Sequence, residues 1–156
     1  MINKLLIIFF GSMIPIGELR TTIPLGVLVY HLNWFVVLAV SIIGCIIPAI
    51  FFVYFLEPIS QFLIKHSKFF KGFFELLFRH TRDKHQEKFN KLKELSIVLV
   101  SAIPLPLFGA WSGALFAFVF GIPQKKSIPL IAIGVTIMGF LTFFLSIAAK
   151  DLISLI

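Results

Sequence analysis

From residue 21 to residue 56 the chain carries no Asp, Glu, Lys or Arg, and the runs 5–17, 95–124 and 127–149 are equally free of them. A water-facing surface needs about a quarter charged residues. Here 13% are charged against 59% hydrophobic, and the mean hydropathy is +1.04. Lipid is the solvent such a chain can fold against. Backbone groups find no partners in hydrocarbon, so a spanning chain without barrel-type alternation closes its hydrogen bonds within helices. The expected class is an all-α integral membrane protein. Twenty phenylalanines against two tyrosines fit a surface meeting acyl chains, where a phenolic hydroxyl would need a partner.

A spanning helix takes roughly 20 apolar residues. Residues 33–56 and 127–149 each meet that length as one crossing. The other runs are interrupted: 5–14 is stopped by Pro15 and Gly17 before a second short stretch at 24–30, and 95–103 is stopped by Pro104 and Pro106 before 109–120. Proline removes a backbone donor and clashes with the preceding turn. Residues 14–24 and 103–109 are therefore expected to be unwound at membrane depth, which lipid permits only where protein or a cavity supplies partners.

The N-terminus, Lys4 followed by an apolar run, has the start of a signal peptide, but Glu18 and Arg20 arrive where a small-residue cleavage site belongs. It is read as retained. One cysteine, Cys45, excludes an internal disulfide.

At an offset of 89 residues the chain repeats itself: Ser12, Ile14, Pro15 and Ile16 fall on Ser101, Ile103, Pro104 and Leu105. Each copy runs short helix, loop, short helix, full span, so one membrane domain divides into a repeat at 1–56, a connector at 57–94 and a repeat at 95–156. Transporters are often built this way, with the site where broken helices meet. Re-entrant hairpins would make the repeats inverted; crossing segments would make them parallel. Positive charge does not choose, because nine Lys and Arg in the connector join either Lys125 and Lys126 or Lys4 and Lys150, giving eleven against two both ways. Both threadings put the connector in the cytoplasm of an inner, multi-pass membrane protein.

Residues 59–79 have helical period, with Ile59, Phe62, Phe69, Phe73 and Leu77 on one face and Lys65, Lys68, Lys71 and Arg79 on the other. That pattern predicts an amphipathic helix on the membrane surface, its basic face against anionic headgroups. Nucleic acid is the rival partner for a basic patch and fits poorly beside two spans and a phenylalanine face. His80, Asp83 and His85 lie in a polar charge run without a fourth partner at a recognised spacing, so no metal site and no cofactor is expected.

Glu18 and Arg20 stand between two short helices, at membrane depth. Charge there costs about 2.5–3.5 kcal/mol on insertion scales and usually faces a cavity or a partner. Arg20 offers a rigid fork for phosphate or carboxylate, and a partly desolvated Glu18 can carry a proton. The bland alternative is an internal ion pair that only clamps the loop. The second tip, from Pro104 and Pro106 to Trp111 and Ser112, has no charge and supplies carbonyls, a hydroxyl and an aromatic wall. Ala110, Ala114, Ala117 and Gly121 then form a small-residue stripe that lets helices approach closely.

I-P-I-G-E-L-R-T-T-I-P-L-G from Ile14 and A-I-P-L-P-L-F-G-A-W-S-G-A-L from Ala102 resemble the paired motifs of the small multidrug export protein family, a branch of the DedA-like superfamily. The resemblance implies re-entrant hairpins in an inverted repeat, with Glu18, Arg20 and the Pro104/Pro106 loop as the matched positions. Leu107 and Phe108 depart from the Gly and small polar residue usual after the second proline, and make that tip bulkier and drier. DedA-like relatives are linked to moving phosphorylated polyprenyl carriers between leaflets. The expectation is therefore a transporter or flippase for an amphipathic, anionic, lipid-linked phosphate. Arg20, Pro104, Pro106, Trp111 and Ser112 would line its path and Glu18 would couple protons. Export of cationic drugs by proton exchange at Glu18, or a non-transporting scaffold, are the alternatives. No catalytic arrangement of an enzyme is visible, and two spans with two hairpins are too little protein to enclose a path, so a homodimer is expected.

Overall fold

A computed structural model describes residues 2–15, 17–66, 72, 87–105 and 108–154. Among them the regular structure is helical throughout: α1 (Ile2–Met13), α2 (Glu18–Pro24) continued by a π turn (Leu25–Val29), α3 (Trp34–His66), α4 (Glu87–Ala102), α5 (Ala110–Val119) and α6 (Gln124–Ser154). Two helices are long and apolar enough to cross a membrane, Trp34–Phe62 and Gln124–Asp151.

The short helices stop where the sequence says they must. Pro15 disfavours helical geometry at Ile14, and α1 ends at Met13. At the other end of the first hairpin, Asn33 accepts the Phe35 N–H at 2.9 Å and caps α3. Helix α5 ends in a Schellman turn: Ile122 N–H bonds Ala117 C=O, Gly121 N–H bonds Phe118 C=O, and Gly121 takes φ +66, which glycine adopts without strain.

α1 and α2 form an antiparallel hairpin. The Lys4 ammonium lies 5.1 Å from the centre of the Tyr30 ring at its open end. A side chain on Gly26 would meet Ile8, and one on Gly11 would meet Thr22 at 3.1 Å, nearer the turn. The returning strand of this hairpin then runs beside α3, with Val37 against Gly26 and Ser41 accepting a 3.2 Å bond from Thr22. α4 and α5 make the second hairpin, closed by Gly109 N–H to Val100 C=O at 3.2 Å. The two long helices are antiparallel: Trp34 stacks on Phe143 at 5.3 Å, Leu38 faces Gly139, and farther along Ile46 and Val53 approach Ile128 and Ile131.

Both halves thus carry the same order of short helix, break, short helix and long helix. They also share a packing device. Ser12 of α1 seats against Gly44 of α3, and Ser101 of α4 seats against Gly134 of α6, each so close that a Cβ on the glycine would overlap the serine. In lipid, helices associate by van der Waals contact and hydrogen bonding with little hydrophobic drive, so such close approach is what holds them. Several phenylalanines fall outside: Phe10, Phe35, Phe51, Phe55 and Phe144 are all more than half exposed. In water that would be an aggregation hazard.

Two sequence expectations change. The unwound stretch expected over 14–24 is shorter, because α2 begins at Glu18 and Pro24 sits inside it. Past Pro24 the helix carries on as a π turn, in which Tyr30 N–H reaches back five residues to Leu25 C=O. The helix expected to end near residue 56 runs on through Pro58 to His66, so Ile59, Phe62 and Lys65 belong to α3 and do not start a separate surface helix. Pro58 does not stop it, and the Ser60 hydroxyl bonds the Glu57 carbonyl at 2.8 Å beside it. Lys65 is exposed in its last turn. Lys68, Lys71, Arg79, His80, Asp83 and His85 lie outside the described residues.

Candidate functional site

The two chain breaks, far apart in sequence, meet. Glu18 opens α2 at the tip of the first hairpin and is 1% exposed. Its carboxyl group presses on Gly109, at the tip of the second hairpin, closely enough that a Cβ on that glycine would overlap it. Gly109 has φ +128, a conformation that L side chains rarely adopt, so the position excludes a side chain twice over.

Glu18 itself is held at φ +42, in the left-handed region that a non-glycine residue enters only when its surroundings impose it. Its backbone is fixed on both sides: Glu18 N–H bonds Ile14 C=O at 3.1 Å, and the Thr22 hydroxyl bonds Glu18 C=O at 2.9 Å. Thr22 is tied to α3 through Ser41, so three elements lock the carboxylate's base in place. The carboxyl end is less well served. Oε2 is buried and has no hydrogen-bond partner among the described residues. A buried carboxyl oxygen without a donor costs free energy, and such a group calls for an explanation.

Cys45 of α3 completes the cluster, its thiol within reach of the Ala110 backbone N–H and within electrostatic range of Glu18. Leu19 and Ile23, both fully buried, seal the rest of α2. Arg20 lies two residues beyond Glu18, half-buried and within electrostatic range of it.

On the lipid side of the second tip, Trp111 packs on Phe52 with ring centres 5.0 Å apart. Its indole N–H is buried without a hydrogen-bond partner among the described residues. With Met13, Pro48, Phe51, Phe52 and Phe55 it lines a wide, wholly apolar groove of about 260 Å³ open to the outside. Trp111 follows Gly109 by two residues in the chain.

Of the residues the sequence picked out, Glu18, Arg20, Pro104, Trp111 and Ser112 lie in or beside the two breaks, and Pro106 lies outside the described residues. Ala110, Ala114 and Ala117 are buried, as a close-packing stripe requires. Sequence reasoning missed Gly109 and Cys45. The glycine was readable as the residue closing the second break; nothing local distinguishes the cysteine from its apolar neighbours.

The pattern of one protein family, described as small multi-drug export proteins, matches residues 18–141, which takes in Glu18, Arg20, the second break, all of α3 and the first part of α6. The chain belongs to the small multi-drug export protein family. The family is described by export, and with two helices apolar and long enough to cross a membrane the chain is a membrane protein. No curated protein and no solved structure matches it.

Proposed function

We infer that the chain is a small secondary transporter in which Glu18 carries the coupling proton and an amphipathic substrate moves along the apolar groove beside Trp111. The observation that carries this reading is the Glu18 carboxyl, strained, buried and without a partner for Oε2, at the contact of two broken helices. Transporters place their sites at such contacts, at mid-membrane depth.

On this reading the hairpins are re-entrant and the halves are inverted repeats. α1 has 12 residues, about 18 Å of helix against roughly 30 Å of hydrocarbon. The contact of Lys126 with Glu94 at 3.3 Å supports the same threading, since it groups Lys125 and Lys126 with the basic connector. That end is cytoplasmic by the positive-inside rule, in a multi-pass inner-membrane protein. A homodimer encloses the path that one chain leaves open at the groove.

The substrate that fits best is an anionic, lipid-linked phosphate. Its chain would lie in the phenylalanine groove, and its phosphate would take the Arg20 fork with donors from the second tip, where Pro104, Pro106, Trp111 and Ser112 stand. A second reading starts from the family's description as multi-drug export: export of cationic amphipaths in exchange for protons at Glu18, with Arg20 as counterion. Purified protein in vesicles separates the two. Transbilayer movement of a labelled polyprenyl phosphate that is lost in Arg20→Lys and Arg20→Ala supports the anion reading. Movement of an organic cation that tolerates both changes but not Glu18→Gln supports the other. Wild-type rates for both substrates in Glu18→Gln would remove the site altogether.

A further inference from the structure

The backbone bonds at the two tips stay inside their own hairpins. Glu18 N–H bonds Ile14 C=O at 3.1 Å, while Gly109 N–H bonds Val100 C=O at 3.2 Å and Gly113 N–H bonds Gly109 C=O at 2.9 Å. Each tip can part from the other with these bonds intact. They are joined where the Glu18 carboxyl sits on Gly109, beside the Ala110 amide that reaches the Cys45 thiol. Leu19, Cys45 and Ala110 are wholly buried there, so the joined tips also roof the thiol. The seat lies at mid-depth: along α3, Cys45 is eleven residues beyond Trp34 and twelve before Glu57, about 17 and 18 Å at the helical rise, and an indole and a charge at those two positions suit the two faces of a bilayer.

Two features make the seat conditional on a proton. Glu18 Oε2 is buried without a hydrogen-bond partner among the described residues; a neutral acid there forgoes one bond, whereas a carboxylate without donor or water is far more costly to bury. Ionised, the group is driven out toward water. Glu18 is also held at φ +42, so leaving the seat lets its backbone strain relax.

The ionisable groups near the carboxyl are Arg20 on the same helix, which attracts its charged form, and Cys45 on α3. The other elements around α2 bring none to that level among the described residues. α1 carries Lys4 at the hairpin's open end, beside Tyr30 and His31, which follow the π turn. α6 faces Leu19 with Gly139, at least three turns from Lys126 and Lys150, and Gly109–Val119 holds no ionisable side chain.

We propose that the contact of the two tips is a proton-dependent latch, closed while Glu18 is neutral and opened when Glu18 gives up its proton. This rests on the reading of Glu18 as a proton carrier, but its test does not need transport. The native Cys45 reports it, because parting the tips uncovers a thiol that is otherwise wholly buried. Purified protein in vesicles is reacted with methyl methanethiosulfonate, which is small and uncharged. Each rate is divided by that of the same protein unfolded in dodecyl sulfate at the same pH, which removes the thiol's own ionisation. Between about pH 5 and 9 the ratio should rise, by up to about tenfold per pH unit for one proton lost on opening, and then level off. Glu18→Gln has no proton to lose and should give a flat ratio. Glu18→Met, also neutral and of similar size, repeats the comparison if Glu18→Gln is not monodisperse. A wild-type ratio that is flat or falls with pH overturns the latch, as does a rise that survives in these variants. A flat ratio in a protein whose transport depends on Glu18 would end the latch and spare the carrier; a Glu18-dependent rise in a protein that moves no substrate would keep the latch and lose the carrier.

Discussion

The Glu18 carboxyl closes on the α-carbon of Gly109, so the acidic residue of one chain break is seated on the glycine of the other. The contact fixes what each of the two positions tolerates.

Gly109→Ala should be severely damaging. The added methyl meets the Glu18 carboxyl, and an L residue at φ +128 is strained whatever the space. We expect a loss of at least about 2 kcal/mol, read as a fall in the unfolding temperature in detergent. Gly72→Ala, at a helical position with nothing within 4 Å of its missing methyl among the described residues, is the control and should not lower that temperature. Equal unfolding temperatures for the two variants would contradict the tip contact.

The Thr22–Ser41 hydrogen bond is buried and joins α2 to α3. Ser41→Ala should cost about 0.6 kcal/mol, the average for such bonds between membrane helices. The Lys126–Glu94 pair lies on a partly exposed surface, and Glu94→Gln should cost roughly 0.2–1 kcal/mol in low salt and less in high salt. Calorimetry of the two variants across a salt series checks both, since only the second effect should fade.

Much of this was legible in the sequence, and what was not has a physical reason. The breaks at Pro15 and Pro104, the long helices and the placing of Glu18 at the first break follow from where charge and proline fall in an apolar chain. The helical start at Glu18 did not, because Pro24 reads as a stop, whereas the helix runs through it and on into a π turn. Neither did the course of α3 past Pro58, since a strong helix on both sides outweighs one lost bond. The meeting of Glu18 with Gly109 and Cys45 is a product of how the two hairpins pack, and no local pattern announces it.

Threading can be tested by chemical access. In a Cys45→Ala background, Asn3→Cys and Lys150→Cys should react with an impermeant thiol reagent from outside intact cells, and Lys125→Cys should react only once the cells are permeabilised. Protection of the first two in intact cells would mean crossing segments and parallel halves.

The most direct measurement concerns Glu18 and Arg20 together. If they only clamp the loop, removing one charge is damaging, while Glu18→Gln with Arg20→Gln restores a neutral, stable pair. If Glu18 carries protons and Arg20 holds substrate, the double variant folds and does not transport. The assay is purified protein in vesicles, scored for monodispersity and for transbilayer movement of a labelled polyprenyl phosphate and of an organic cation. The account predicts a monodisperse double variant that moves neither; movement of either substrate at the wild-type rate would contradict it.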